Sequence, residues 1–279
     1  MKIISRFKVL IGALGLAVLS VGPAQATVIL EGSDAIGLHS SGTGSSFANT
    51  YRDQVWTAIG GADARPIAFI GDSLGGKVST THPIVTFSSV AAAKTAGAAA
   101  GLGAYVALYF QAGGGCCSEN DGLITAAGAA TDVGNYLAVL NGTVMIGDYT
   151  GGAAWDFAVG TTGGGNAHVS GFSGGIPGSG CSDGEVVTAT GLANGFTQPG
   201  SIGCWTHQSY DQAGFFAPLG FTFSFFDAGP GYPAGFSSLL SNGKTVTGVA
   251  AGVPEPDLLA LLAIGVLGFG LKGLRRRRS

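Results

Sequence analysis

The residues of this chain that could do chemistry are few and sit at recurring places. Gly71-Asp72-Ser73-Leu74 puts a serine directly after the apolar run Ile67-Ala68-Phe69-Ile70. A serine so placed can serve as a nucleophile if a histidine takes its proton. The histidines are His39, His82, His168 and His207, and His207 is the candidate base for Ser73. Two further apolar runs also end in polar groups: residues 105–110 lead toward Cys116, Glu119 and Asp121, and residues 143–146 lead into Gly147-Asp148-Tyr149. Asp72, Ser73, Glu119 and Asp148 are therefore the candidate ligand rim. The plainer role for an aspartate after a strand is to cap the turn or helix that follows.

Cys116, Cys117, Cys181 and Cys204 make an even set. In an oxidising compartment such a set predicts disulfides. Adjacent cysteines pair with one another only in a strained ring, so Cys116 and Cys117 are expected to reach separately to Cys181 and Cys204. A metal site with His168 or His207 is the alternative, but the sequence has no Cys-x-x-Cys or His-x-x-x-His spacing to favour it. No metal and no cofactor are expected.

The elements that must position these groups are legible in the apolar pattern. Residues 67–70, 105–110 and 143–146 are short continuous apolar runs, which read as strands buried on both faces. Residues 84–87 are a further candidate strand. Residues 123–140 carry apolar side chains at helical spacing and stop at Asn141-Gly142, and the alanine-rich residues 90–102 fill the same role before the second run. Strand and helix in alternation predict a parallel sheet covered by helices. Residues 186–189 and 221–226 are expected to add edge strands, and residues 51–59 a short helix with Val55, Trp56 and Ile59 on one face. In open α/β sheets ligands bind beyond the carboxyl ends of the strands, which is where the candidate rim falls.

Two resemblances follow from these strings. Gly71-Asp72-Ser73-Leu74 resembles the nucleophile block of the GDSL esterases, whose base comes from an Asp-x-x-His pair; none of the histidines here has Asp three positions earlier. The chain order resembles the class I glutamine amidotransferase-like fold, in which the strand after the long helix enters a Gly-x-Cys-x-Gly elbow. The corresponding string is Gly147-Asp148-Tyr149-Thr150-Gly151. With Tyr149 at the nucleophile position, the resemblance implies the fold without the amidotransferase chemistry.

The two ends carry the strongest signals. Lys2, Arg6 and Lys8 precede the apolar residues 9–19, and Ala24-Gln25-Ala26 precedes Thr27. This is the order of a secretory signal peptide cut after Ala26, with Ala24 and Ala26 filling the peptidase pockets. At the other end, Pro254-Glu255-Pro256 is followed by residues 258–271 without a charge and then by Arg275, Arg276, Arg277 and Arg278. The apolar segment extends to about 21 Å as a helix, short of a bilayer core of roughly 30 Å; Lys272 and Leu274 lengthen it. The arginines hold that end in the cytoplasm and leave the preceding residues outside.

Pro-Glu-Pro, a short apolar helix and a terminal arginine cluster resemble the PEP-CTERM sorting signal of Gram-negative bacteria, which the membrane protease exosortase recognises. The resemblance covers residues 253–279. It implies cutting at Pro254, Glu255 and Pro256 and delivery to the cell surface or extracellular matrix, in the setting of exopolysaccharide export.

Composition narrows the middle of the chain. The whole chain has 51 glycines in 279 residues and only 10% charged residues, where about 7% and roughly 25% are ordinary. Residues 27–253 carry five basic against fourteen acidic side chains, a net of about −9. Nucleic acid is excluded as an expected partner, since phosphate needs clustered Lys and Arg. The expected fold class is α/β: a mostly parallel sheet flanked by helices, stapled by disulfides, with a C-terminal single transmembrane helix over 258–274. The expected organisation is signal peptide 1–26, exported domain 27–240, spacer 241–252 and sorting signal 253–279. The expected protein is a single-pass inner-membrane precursor, handled by signal peptidase and exosortase, that becomes a structural or ligand-binding surface protein associated with exopolysaccharide. A secreted serine hydrolase using Ser73 and His207 is the alternative.

Overall fold

The computed structural model describes residues 26–33, 35–36, 40, 46–71, 81–111, 123, 126–147, 169–171, 184–200, 206, 208–229 and 232–243. The first half of the described chain runs β1 (Thr27–Glu31), α1 (Ser46–Gly60), β2 (Ile67–Ile70), β3 (Ile84–Phe87), α2 (Val90–Ala96), β4 (Ala107–Phe110), α3 (Ala129–Leu140) and β5 (Thr143–Gly147). The second half runs β6 (Val169–Gly171), β7 (Val186–Val187), α4 (Ala189–Ala193), β8 (Gln208–Asp211), β9 (Phe223–Asp227) and β10 (Phe236–Ser241).

The architecture is α/β, as the alternating pattern predicts. Five strands, in the order β3-β2-β4-β5-β1, pair in parallel. Every residue of β2 and β4 is buried, which is why those runs are apolar without alternation. The sheet as a whole is mixed, because β10 pairs antiparallel with β1 and begins an antiparallel half. One edge of β10 carries β9. The other is shared: residues 239–241 pair with β1 and residues 236–237 with β8. β6 extends this half beside β8, and β7 beside β9.

Helices cover both faces. Tyr51, Val55, Trp56 and Ile59 form the buried stripe of α1 on one side, against Ile29, Phe69 and Tyr109. Trp56 stands edge-on to Tyr109 with ring centroids 5.0 Å apart, and Tyr109 stacks on Phe69 at 5.2 Å. On the other side α2 and α3 pack through Val90, Ala93, Val133 and Leu137 onto Leu108, Phe110, Val144 and Ile146. Tyr136 pins α3 down by donating its hydroxyl to the Val106 carbonyl (2.9 Å), and Tyr105 does the same to Ala93 of α2 (2.9 Å).

Local chemistry sets the element ends. Ser89 caps α2 by accepting from the Ala92 N–H at 3.1 Å. The expected helix over 90–102 breaks after Ala96. Gly97 begins a tighter 3-10 turn over Ala98–Ala104, with Ala98 (φ 50) and Gly101 (φ 53) in the left-handed region. α3 ends where expected: Asn141 is left-handed, and the Gly142 N–H returns to the Tyr136 carbonyl at 3.1 Å. It begins at Ala129, after Gly128 (φ 81), rather than at Leu123.

Four strands, β1, β6, β8 and β10, go beyond the sequence expectation. β1 begins immediately at Thr27. β10 runs through Ser241, so it enters the expected spacer, and Asn242 is still part of the sheet edge. The Val28 N–H donates to Asn242 Oδ1 (2.7 Å), the Asn242 N–H donates to the Val28 carbonyl (3.2 Å), and the Thr27 N–H donates to the Gly142 carbonyl (3.1 Å). Thr27 and Gly243 therefore lie side by side at the amino edge of the parallel strands. Among the described residues no helix is long and apolar enough to cross a membrane; residues 258–274 lie outside them, as do all four cysteines.

Candidate functional site

The carboxyl edge of the parallel half is where β2, β4 and β5, the strands that lead to the candidate rim residues, all end. The registers Ile70↔Phe110↔Ile146 and Leu30↔Ile146 fix one row across the sheet. The next row is Gly71, Gln111, Gly147 and Glu31, with Glu31 directly opposite Gly147. Asp72, Ser73, Cys116, Cys117, Glu119, Asp148, Cys181, Cys204 and His207 lie outside the described residues. The same is true of Ala24, of Pro254 to Pro256 and of Arg275 to Arg278. Ala26 is described, one residue ahead of β1.

The described part of this edge holds polar groups that the sequence did not single out. Glu31 ends β1 on the face covered by α1 and has no solvent exposure. Its Oε2 accepts from the Tyr109 hydroxyl at 2.9 Å, and Tyr51 of α1 is hydrogen-bonded to the same carboxyl group. A buried carboxylate needs such donors, because the interior solvates charge poorly. Gln111 folds over Gly71, where an added Cβ would stand 2.4 Å from Gln111 Oε1. That oxygen is buried without a hydrogen-bond partner, and so are both amide atoms of Gln208, at the start of β8. Gln208 approaches the end of β1 through its N–H, which donates to the Gly32 carbonyl at 2.9 Å.

A second buried carboxyl lies in the antiparallel half. Glu185 accepts from the Thr206 hydroxyl, and the Thr206 carbonyl accepts from the Tyr232 hydroxyl at 3.2 Å. Thr206 also bridges to Ser33, two residues past β1.

This arrangement offers acceptors and amide groups at a strand-end rim. A buried amide left without a partner costs about 1–3 kcal/mol, and such groups are commonly met by ordered water or a polar ligand. Acid–base chemistry finds less here. His82 is at the opposite, amino edge, packed against Gly60, with Nε2 2.8 Å from the Arg65 carbonyl; its role there is structural. His39, His168 and His207 lie outside the described residues. Among the described residues no three His, Cys, Asp or Glu side chains group in a way that could hold a metal.

The phenols of the interior give a pH prediction. Burial, then the Glu31 charge and the hydrogen bond to Glu31, hold Tyr51 well above the ordinary phenol value of 10. Burial also raises Tyr136 and Tyr105. In the unfolded chain these phenols ionise near pH 10 while in the folded chain they stay neutral. Their contribution to stability is thus complete below pH 10 and is lost as pH rises beyond it. Urea unfolding should show a midpoint that is flat below pH 9 and falls steeply above pH 10, by about 1.4 kcal/mol per pH unit for each phenol. Tyr51→Phe should make that fall shallower. An unchanged slope in the variant would show that Tyr51 ionises equally in both states.

No family model, no curated protein and no solved structure matches this chain.

Proposed function

We propose that this is an exported surface protein whose α/β domain binds a polar ligand at the carboxyl edge of its sheet and is delivered by a processed C-terminal tail. The signal peptide carries residues from Thr27 onward across the inner membrane, and exosortase cuts the tail at Pro254-Glu255-Pro256. Disulfides from Cys116 and Cys117 to Cys181 and Cys204 stabilise the released domain. Exopolysaccharide, rich in hydroxyls that both donate and accept, suits the amides of Gln111 and Gln208.

The observation that carries this reading is the order of three parts in the last 27 residues: the Pro-Glu-Pro triplet, the uncharged apolar segment and four arginines. Proline disfavours helix at its own and the preceding position, and an extended chain is the form that a protease accepts. The placement of the chain ends supports it. Thr27 begins β1 and Asn242 follows β10, its antiparallel neighbour, so the two ends of the described domain lie together at the amino edge, opposite the polar rim.

Fractionation of the native host tests the proposal. Replacing Pro254, Glu255 and Pro256 together by alanine should move the protein from the cell exterior to the inner membrane, with at least about a tenfold loss of released material if cutting depends on the extended triplet. Equal release from both chains would remove exosortase processing from the account.

A second reading, a serine hydrolase using Ser73 with His207, is favoured by one observation: Gly71 stands directly after β2 at the carboxyl edge, where a nucleophile turn belongs. Turnover of simple esters that disappears in Ser73→Ala would support it; absence of turnover in the wild type would count against it.

A further inference from the structure

We infer that the amino edge of the parallel strands is a membrane-docking surface, on which the domain rests against the phospholipid bilayer while its tail is still attached. The inference rests on the proposed tail.

Four observations place it there. Val139 and Leu140, the last residues of α3, are 72% and 47% exposed and lie at this edge. Leu140 packs beside Gly103, where an added Cβ would be 3.3 Å from its Cδ1. Ala98, Ala99 and Ala100 of the adjoining turn are exposed as well, and they line one end of a groove of about 680 Å³ whose other walls include Lys94 of α2 and Asp132, Asn135 and Tyr136 of α3. The apolar end of α3 leads through Gly142 straight to Thr27, and Thr27 is in turn beside Gly243, from which the chain leaves toward the tail.

Charge favours the same face. Asp63 at the amino edge is paired with Arg65 at 2.6 Å, so this edge does not repel anionic lipid through that carboxylate. By contrast Asp34, Asp72 and Asp148 follow the carboxyl ends of β1, β2 and β5 by no more than three residues.

Tethering makes a small apolar contact sufficient. Fourteen residues, 244–257, separate Gly243 from the apolar segment, and a chain of that length reaches no further than about 50 Å. The contact then forms intramolecularly, at an effective concentration in the millimolar range. Two aliphatic side chains that would never hold a free protein at a bilayer can hold one already anchored beside it.

The test uses the full chain reconstituted in vesicles of phosphatidylethanolamine and phosphatidylglycerol, with a fraction of the lipid brominated on its acyl chains. Tryptophan is introduced at Val139 (Val139→Trp) or, at the far edge, at exposed Ser88 (Ser88→Trp), and quenching is read as a difference from the wild type. Docking predicts quenching at Val139→Trp roughly threefold above that at Ser88→Trp, since interfacial side chains reach into the acyl boundary. Because tryptophan itself favours interfaces, a second pair carries the probe at Ala99 (Ala99→Trp), with and without Val139→Asp and Leu140→Asp. Docking predicts that the two aspartates abolish its quenching. Equal quenching at Val139 and Ser88, or a signal at Ala99 indifferent to the aspartates, overturns the inference while the tail still holds the protein in the vesicles. Failure of the chain to co-float with vesicles overturns the tail reading itself, and the inference with it.

Discussion

Trp56→Ala should destabilise the domain by about 3–5 kcal/mol, the range for removing a large aromatic side chain from a packed core. Trp56 has no solvent exposure and is the largest fully buried side chain of the described residues. It joins α1 to the sheet by standing edge-on to Tyr109 at 5.0 Å and to Phe69 at 6.2 Å. Tyr109 in turn holds the Glu31 carboxyl, so the cavity left by the indole opens beside the buried end of β1. For a domain of this size the loss corresponds to a fall in Tm of roughly 10 °C. Trp56→Phe keeps an aromatic edge there and should cost less than half as much. Thermal unfolding of the three chains decides the matter. A drop of under 1 kcal/mol for Trp56→Ala would mean that α1 is not seated on the sheet as described.

Gly32→Ala should cost about 3 kcal/mol, at the upper end for forcing added atoms into a packed region. An added Cβ would stand 1.8 Å from the Gln208 carbonyl oxygen and 2.6 Å from its carbon. Both are backbone atoms and cannot swing aside. The position is where β1 passes from β10 to β8: the Gly32 N–H donates to the Ser238 carbonyl (2.8 Å) and its carbonyl accepts from Gln208 (2.9 Å). A methyl group there must push β8 off the edge it shares with β1. Gly128→Ala is the comparison, because Gly128 has φ 81 but nothing within 4 Å of its would-be Cβ. That variant should show only the cost of a left-handed alanine, about 1–2 kcal/mol. Hydrogen exchange separates the two: Gly32→Ala should speed exchange in β8 and β10, and Gly128→Ala in the first turn of α3. If the two variants prove equally mild, the β1–β8 junction is looser than its hydrogen bonds imply.

β2, β4 and β5 were legible because burial on both faces leaves no choice but apolar residues, whereas β1, of the same parallel half, was not. Ile67–Ile70 and Ile84–Phe87 match their strands residue for residue, and Thr143–Gly147 differs by one. The stop of α3 was legible because Asn141 and Gly142 are suited to a left-handed cap.

β10 was not legible, because three of its six residues are serines. They are tolerated in the interior by a local solution: the Ser237 hydroxyl bonds the Phe226 and Leu239 carbonyls, each at 2.9 Å, where the β9–β10 register shifts. The 90–102 helix was read too long because alanine favours helix whatever its neighbours, while the turn at Gly97 depends on a close approach to Gly101. Glu31 was passed over because a glutamate after Val28-Ile29-Leu30 looks like the point where a strand meets water. Its burial follows from Tyr51 on α1 and Tyr109 on β4, 20 and 78 positions away in the chain. Gln111 and Gln208 carry no motif at all. Their place at the edge comes from register alone.

The measurement closest to the central claim is the intact mass of the mature protein recovered from its own host, together with the fraction in which it is found. The account predicts a chain that starts at Thr27, ends near Pro254 and is recovered outside the cell. A protein that keeps Arg275 to Arg278 and stays in the inner membrane would contradict it, leaving the tail as a permanent anchor.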